Sequence, residues 1–173
     1  MKRSEFEHSV RAAAAVLGLD EVLVIGSQAL HATVAGALPE EALRSIEVDV
    51  AVRGDADGHL ADLIDGSIGE ASMFHATVGY YAQGVVETTT VLPRGWTDRL
   101  VRFQAPATNG VVALCLEVHD LWLAKAIANR PKDVEFCTAL VDRGLVKRSV
   151  LLEGLGDVAD LEPEIERLVR AAI

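Results

Sequence analysis

The fold is decided by two nearby stretches of sequence, EVLVIGSQAL at Glu21–Leu30 and IEVDVAV at Ile46–Val52. The first predicts a buried strand over Glu21–Ile25, which is broken by Gly26-Ser27 before helical character returns. The second alternates, and it predicts a strand whose apolar residues face one side while its acids face the other. A strand, a turn, a helix and a second strand indicate an α/β or α+β domain.

The rest of the chain continues this mixture of helices and strands. The first helix is predicted to begin at a capping box formed by Ser4 and Glu7 and to end at Leu17 before Gly18. Further helices are predicted, in chain order, over Gln28–Val34, His59–Ile64, Asp120–Asn129, Lys132–Arg143, Arg148–Gly154 and Glu164–Ala172. Further strands are predicted over Thr77–Ala82, Val85–Leu92 and Arg99–Phe103, whereas Val111–Leu116 fits either a strand or the approach to a helix. We expect one domain over residues 1–173, with an α/β core at 1–116 and a C-terminal helical part at 117–173 packed on it.

Composition excludes several classes of protein. Half of the 173 residues are hydrophobic, which excludes wholesale disorder. The 16 basic and 26 acidic residues give a net charge of −10, so a general nucleic-acid coat or a role on an anionic membrane surface is not expected. The charged start MKRSEFEHS and the short apolar runs predict a cytoplasmic protein without a spanning segment. Cys115 and Cys137 lie in apolar stretches, which favours two buried thiols over a disulfide or a metal pair.

The acids of the second strand are the sharpest chemical feature. Glu47 and Asp49 share one strand face about 7 Å apart at the backbone, so their oxygens are able to converge on one hard cation. Two carboxylates placed side by side repel each other unless something positive lies between them. An ordinary half-exposed strand with solvated acids explains the same pattern, and both interpretations stay open at this point.

The Gly26-Ser27 break is the second feature. Glycine at this position allows a ligand to approach the backbone, and the start of the following helix offers free N–H groups to a phosphate. The plain alternative is a turn glycine followed by a serine that caps a helix. Neither a GxGxxG nor a GxxxxGK[ST] pattern is present, so no dinucleotide fold or P-loop is indicated.

Taken together, these two features resemble the core motif of the DNA polymerase beta-like nucleotidyltransferase superfamily. The stretch HDLWLAKAIANRPKD at His119–Asp133 is also similar to a segment of small bacterial nucleotidyltransferase-like proteins, which include toxin components of toxin–antitoxin pairs. The resemblance covers roughly residues 21–143. It implies a nucleotidyltransferase-like mixed β-sheet flanked by helices, with further helices at the C-terminus.

The resemblance also implies roles for individual residues. Glu47 and Asp49 would be catalytic ligands of Mg²⁺ or Mn²⁺. Gly26 and Ser27 would hold the terminal phosphates of an NTP, and Lys125 would neutralise phosphate charge.

Other assignments are less closely tied to the motif. The superfamily needs a third acid, for which Glu87 is the first candidate and Asp98 the alternative. Arg130 and Lys132 form a basic pair that could meet a substrate phosphate, while Asp133 also fits an ordinary helix start. His75 is a candidate general base or stacking neighbour.

Two departures from the motif limit what it implies. The spacer between Ser27 and Glu47 is longer than the family's usual run, and the first acid is Glu rather than Asp. The leading hypothesis is a metal-dependent enzyme that transfers a nucleoside monophosphate from an NTP to a hydroxyl acceptor, and one form of it is a toxin with an antitoxin or other protein partner. The alternatives are a catalytically degenerate module that binds a nucleotide or a protein, and an interaction protein without a ligand.

Overall fold

In the computed structural model, which describes residues 1–173, five strands form one mixed sheet. These strands are β1 (Glu21–Val24), β2 (Glu47–Ala51), β3 (Tyr81–Gly84), β4 (Val101–Phe103) and β5 (Val112–Cys115). Their order across the sheet is β3-β2-β1-β5-β4. β1 runs parallel to β5, and β2 runs parallel to β3, whereas the β1–β2 and β4–β5 pairs are antiparallel.

Nine α-helices accompany the sheet. They are α1 (Arg3–Leu17), α2 (Leu30–Thr33), α3 (Glu40–Leu43), α4 (His59–Ile68), α5 (Met73–Val78), α6 (Val118–Ala128), α7 (Pro131–Asp142), α8 (Arg148–Gly156) and α9 (Pro163–Ala172). Short 3₁₀ turns occupy Ser27–Ala29, Glu87–Thr89, Trp96–Arg99 and Pro106–Thr108. The predicted class is therefore confirmed: a mixed sheet flanked by helices and followed by C-terminal helices, consistent with a nucleotidyltransferase-like fold.

One continuous apolar core joins the sheet to the C-terminal helices. The register places Val24 beside both Val50 and Cys115, so these side chains share the sheet face on which α1 and α4 pack. Trp122 of α6 is buried in the same cluster, and its indole Nε1 donates to the Cys137 carbonyl at 3.0 Å. Both cysteines are free and buried, as predicted, and burial raises the pKa of the Cys137 thiol to about 12.

The start of α1 differs from the prediction. The helix begins at Arg3, one residue before Ser4, and the backbone N–H of Lys2 donates to the Glu5 carboxylate at 2.7 Å. Glu7 instead pairs with Arg3 at 3.1 Å. The predicted Ser4–Glu7 capping box is therefore wrong, because Glu5 rather than Glu7 reaches back to the free backbone donor.

The region between β2 and β4 shows the largest errors of prediction. The predicted strand Thr77–Ala82 is wrong, because α5 occupies its first part. Ser72 caps α5 by accepting from the His75 N–H at 3.1 Å, and Gly79 ends it with φ +82°. β3 starts only at Tyr81 and ends at Gly84.

The predicted strand Val85–Leu92 is also wrong. Gly84 pairs with Val50, and β2 ends one residue later at Ala51, so the chain beyond Val85 has no strand to pair with. It forms the 3₁₀ turn Glu87–Thr89 instead. On the other side of β1, Val111–Leu116 contains the strand β5, and the edge strand β4 confirms most of Arg99–Phe103.

Two helices begin or continue differently from the prediction. The predicted helix Gln28–Val34 consists of the 3₁₀ turn and the single-turn α2. α6 begins at Val118 rather than at the predicted Asp120, and Glu117 caps it by accepting from the His119 N–H at 2.7 Å. Asp120 is buried and binds both Nε and Nη2 of Arg99, at 2.9 and 2.8 Å, which fastens the turn before β4 to α6.

None of the helices combines the length and the apolar composition that crossing a bilayer requires.

A buried histidine predicts how stability depends on pH. His31 of α2 stacks on Phe6 at 4.9 Å, its Nε2 has no partner, and burial lowers its pKa to about 4. Between the ordinary histidine pKa and about 4, the unfolded chain binds a proton that the folded chain does not. The contribution of neutral His31 to the free energy of unfolding is therefore complete above pH 6.5 and is lost as the pH falls towards 4. We expect the melting temperature to fall by several degrees over this window, measured by circular dichroism.

His31→Phe keeps an aromatic ring against Phe6 but cannot titrate. Its melting temperature should depend less on pH between 6.5 and 4 than that of the wild type. Equal slopes in the two proteins would show that His31 is protonated in the folded state.

Candidate functional site

Two acidic side chains, Glu47 and Asp49, lie on one face of β2. Their neighbours Val48 and Val50 are fully buried on the opposite face, where they belong to the apolar core. Both acids are half-buried and line a cleft of about 360 Å³ whose other walls come from α3 and α7. We call this cleft the polar cleft. The alternation of the strand therefore places both carboxylates in one depression rather than over open surface.

Glu47 is held by protein partners at both oxygens. The Tyr81 hydroxyl of β3 donates to Oε2 at 3.0 Å, and Lys132 Nζ lies 3.5 Å from Oε1. Burial, this hydrogen bond and the nearby negative charges raise the pKa of Tyr81 to about 12, so its hydroxyl remains a donor. The Lys132 side chain is 65% exposed, so this ion pair is readily exchanged for another partner.

The Asp49 carboxylate, unlike that of Glu47, accepts no hydrogen bond from the protein. Its pKa is raised by burial and by the charge of Glu47, against the opposing charges of Lys125, Lys132 and Arg130. No hydrogen bond to the carboxylate contributes to this balance. Asp49 is thus an acid with a partly buried carboxylate whose oxygens no protein donor satisfies.

Gly26 lies directly against the Asp49 carboxylate. A Cβ added at Gly26 would meet Asp49 Oδ2 at 1.6 Å. The backbone of Gly26, with φ −99° and ψ −169°, is extended and open to any residue, so the glycine is required for space and not for conformation. Ser27, which is 8% exposed, follows in the wall of the polar cleft. The structure therefore brings the turn and the acid pair together.

Three cations face the acids from α6 and the start of α7. Lys125 and Arg130 line the polar cleft together with Lys132. Lys125 Nζ lies 3.0 Å from Oδ1 of Asp133, and Arg130 Nε lies 2.5 Å from Oδ2 of the same residue. One carboxylate therefore holds two of the three cations in place.

Asp133 lines the polar cleft, although its sequence position predicts only an ordinary helix start. Its side chain is 1% exposed; burial would raise its pKa, but hydrogen bonds and charges from Arg130 and Lys125 outweigh burial and lower it. Asp133 therefore stays charged and sets the positions of Lys125 and Arg130. An acid three residues after Arg130 predicts the pair with Arg130 but not the contact with Lys125 of the preceding helix.

A second cleft of about 400 Å³ adjoins the polar cleft. Just over half of its lining residues are apolar, among them Val85, Val91, Leu121 and Ile127, and the hydroxyls of Thr89 and Thr90 also line it. We call it the apolar cleft. Asp49, Lys125 and Arg130 line both clefts. These three residues therefore form the boundary that the two clefts share.

Neither candidate for a third acid lies beside the pair. The strand position next to Asp49 is occupied by Gln83, whose amide donates to Asp65 at 2.9 Å. Glu87 accepts from the Gly54 N–H at 3.3 Å and lines neither cleft. Asp98 is exposed in the 3₁₀ turn before β4 and also lines neither cleft.

His75 contacts the site only indirectly. Its ring lies 4.8 Å from the ring of Tyr81, and its Nδ1 accepts from the Ala71 N–H at 3.1 Å. It lines neither cleft. Of the two roles considered for His75, the geometry favours the neighbour of an aromatic ring over the general base.

The residues present fit one divalent cation better than two. Asp49 supplies an unsatisfied carboxylate and Glu47 a second one, and hard cations such as Mg²⁺ prefer oxygen ligands of this kind. No group of three His, Cys, Asp or Glu side chains is arranged to hold a metal ion. A cation at this pair would therefore take its remaining ligands from substrate phosphates and water.

A mixed sheet that carries an acid pair beside a glycine-serine turn, with lysine and arginine opposite, has the features of a nucleotidyltransferase-like protein. Residues 9–153 match the family described as nucleotidyltransferase of unknown function (DUF6036), and the chain belongs to this family. The matched segment includes all the candidate residues that line the two clefts, from Gly26 to Asp133. No match was found among curated proteins or among solved structures.

Proposed function

We propose that this protein is a metal-dependent nucleotidyltransferase that transfers a nucleoside monophosphate from an NTP to a hydroxyl acceptor. The observation that carries the proposal is the Asp49 carboxylate, which rests on Gly26 without a protein donor. Burying such a group without a partner is unfavourable, and a bound cation with its phosphate would satisfy it. Family membership supports the reaction class but not the metal, the nucleotide or the acceptor.

The proposed roles of the residues follow from their positions. Glu47 and Asp49 would hold Mg²⁺ or Mn²⁺, which supplies positive charge to the phosphate oxygens in the transition state. Tyr81 keeps one oxygen of Glu47 in place through its hydroxyl. In the reaction the acceptor oxygen bonds to the α-phosphorus, the bond from that phosphorus to the pyrophosphate oxygen breaks, and the acceptor's proton passes to solvent water.

The phosphates would lie between the turn and the cations. Gly26 offers close approach because it has no side chain, and Ser27 offers a hydroxyl from the wall of the polar cleft. Lys125 and Arg130 would balance the charge of the leaving pyrophosphate. The dipole of the following helix contributes little, because a 3₁₀ turn and a four-residue helix replace the longer helix that the sequence predicts.

Label transfer tests the proposal. Each α-³²P-labelled NTP is incubated with the protein, Mg²⁺ or Mn²⁺, and acceptor mixtures that include tRNA, small metabolites and the protein itself. Label that becomes covalently attached to an acceptor supports the enzyme. A thermal shift with NTP and metal but no transfer in any mixture supports the degenerate binding module instead, and no shift at all contradicts both.

Asp49→Asn is expected to abolish metal-dependent transfer, because the amide neither binds a cation strongly nor carries the required charge. Without metal the variant should melt slightly higher than the wild type, because the substitution removes the buried charge and its repulsion with Glu47. Transfer and melting are measured in parallel. Activity that survives in Asp49→Asn would remove the strand acids from the mechanism.

Glu87→Gln and Asp98→Asn are the matched comparisons for Asp49→Asn. Because neither residue lines a cleft, we expect both variants to retain transfer. Loss of transfer in one of them, with normal melting, would assign the third acid to that residue.

Two observations favour the degenerate module as the second candidate. Gln83 occupies the position beside Asp49 where a third acid would lie, and Lys132 already neutralises part of Glu47. A toxin with a protein antitoxin is a further form of the enzyme hypothesis. It predicts that expression stops growth, that Asp49→Asn relieves the arrest, and that a neighbouring gene product relieves it in the wild type.

A further inference from the structure

Gln28 is a buried polar residue that the proposed reaction does not yet use. It follows Ser27 directly and is 0% exposed. Its Nε2 donates to the carbonyl of Ala42 at 3.0 Å. A carbonyl only accepts, so this contact fixes which end of the amide is nitrogen.

The second hydrogen of the same amide points at the serine. Nε2 lies 3.3 Å from Ser27 Oγ, and the serine hydroxyl is the acceptor in this contact. A hydroxyl that accepts one hydrogen bond still has its own hydrogen to donate. Ser27 lines the polar cleft together with Asp49 and Lys125, so that hydrogen is available on the side where a ligand would lie.

The glutamine is unfavourable for the fold in one respect. Its Oε1 is buried and has no hydrogen-bond partner. A buried acceptor without a donor is destabilising, and an apolar side chain of similar size would avoid the loss. The contacts that Gln28 does make join two walls of the polar cleft, Ser27 and the last turn of α3.

We propose that Gln28 is a positioning residue, which orients the Ser27 hydroxyl as a donor towards an anionic phosphate oxygen in the polar cleft. This inference rests on the proposed function, because it needs a phosphate ligand at Ser27. Gln28 itself does not touch the ligand. Its amide N–H prevents the hydroxyl hydrogen of Ser27 from pointing inward. Its hydrogen bond to the Ala42 carbonyl fixes the distance between Ser27 and α3.

A double-mutant cycle on ligand affinity tests the assignment. Gln28→Met has nearly the volume of the amide but cannot donate, and Ser27→Ala removes the hydroxyl. The probes are MgATP and inorganic tripolyphosphate, with the dissociation constant measured by calorimetry. We expect Ser27→Ala to weaken binding about tenfold, the effect of one hydrogen bond to a charged group, and Gln28→Met to weaken it about three- to tenfold. The double variant should bind no worse than Ser27→Ala, because both changes remove one interaction.

Thr108→Val is the control for a loss of buried hydrogen bonds alone. Thr108 is fully buried, and its hydroxyl lies 2.9 Å from the Ala105 carbonyl and 2.7 Å from that of Val111, away from both clefts. We expect it to lower the melting temperature without changing either dissociation constant. An affinity loss in Gln28→Met that matched Thr108→Val would mark Gln28 as structural.

Nuclear magnetic resonance of the wild-type protein gives a measurement that does not depend on the folding of Gln28→Met. The side-chain amide signals of Gln28 should shift when tripolyphosphate is added, and the shift should be lost in Ser27→Ala. Unchanged amide signals, or additive affinity losses in the cycle, overturn the assignment of Gln28 while leaving the proposed function in place. A wild-type protein that binds neither probe overturns the proposed function first, and the role of Gln28 with it.

Discussion

Gly26→Ala is expected to abolish binding of metal and nucleotide. The added methyl group would lie 1.6 Å from Asp49 Oδ2, a distance that no rotation of the methyl relieves. Either the Asp49 carboxylate leaves its position or β1 separates from β2, to which it is joined by the Ile25 N–H bond to the Asp49 carbonyl at 3.2 Å. Overpacking of this kind typically destabilises by about 1–3 kcal/mol. Calorimetry with MgATP and thermal melting measure the two effects.

Gly66→Ala is the matched control. Gly66 lies exposed within α4, where an added Cβ meets no atom within 4 Å. Alanine favours a helix over glycine by about 1 kcal/mol, so this variant should be equally or more stable than the wild type and should bind normally. If Gly26→Ala bound MgATP as well as Gly66→Ala does, the contact between the turn and Asp49 would have no part in ligand binding.

Asp133→Asn is the second substitution with a large expected effect. It leaves Lys125, whose side chain is only 15% exposed, without its charged partner, and breaks the ion pair with Arg130. Removing one member of a buried ion pair costs about 3 kcal/mol, which corresponds to a fall of about 6–12 °C in melting temperature for a chain of this size. Binding of tripolyphosphate should weaken as well, because the two cations lose their fixed positions.

The effect of Asp133→Asn should depend on pH in one direction. The folded-state pKa of Asp133 is lowered, so its stabilising effect is complete above the ordinary carboxyl pKa and is lost as the pH falls through the folded-state value. The wild type and the variant should therefore differ most at neutral pH and converge in acid.

Glu135→Ala, on the same helix, is the control for Asp133→Asn. Its pair with Arg44 lies at the surface, with both side chains about 60% exposed, so the change in stability should stay within about 0.5 kcal/mol. A fall in melting temperature as large as that of Asp133→Asn would mean that α7 itself, not the buried ion pair, is the sensitive element.

Much of the site's framework could be predicted from the sequence because strand alternation has a period of two. Once Val48 and Val50 are assigned to the core, Glu47 and Asp49 must share the other face. The break at Gly26-Ser27 could also be predicted, because a glycine and a serine interrupt the apolar run of the strand. Local pattern and buried environment agree at these positions.

The predicted strands are wrong where the strand propensity of a segment disagrees with the capping residues at its ends. Thr77, Val78 and Tyr80 favour a strand, yet Ser72 and Gly79 determine the helix α5 by capping both of its ends. Both caps are present in the sequence, and in the fold they outweigh the strand propensity of the residues between them. The third-acid candidate Glu87 depended on a strand register that only the folded sheet defines, and the register places Gln83 beside Asp49.

Tertiary contacts explain what no local pattern could have predicted. Asp133 reaches Lys125 from a different helix, and Asp120 reaches Arg99 across a turn and two strands of sequence. An acid at a helix start has an adequate local explanation in each case. Asp133 contacts Lys125 only because α6 packs against α7. Asp120 contacts Arg99 only because α6 lies against the turn before β4.

Lys125, Arg130 and Lys132 are three of the four cations that line the polar cleft, where they lie among five acids on a chain whose net charge is −10. Far from the surface, a polyphosphate therefore meets repulsion, and attraction acts only within a Debye length, about 8 Å at physiological ionic strength. Moderate salt shortens the reach of that repulsion. If the cleft binds a polyphosphate, as proposed, the ligand would reach it by unsteered encounter at short range rather than by long-range electrostatic steering.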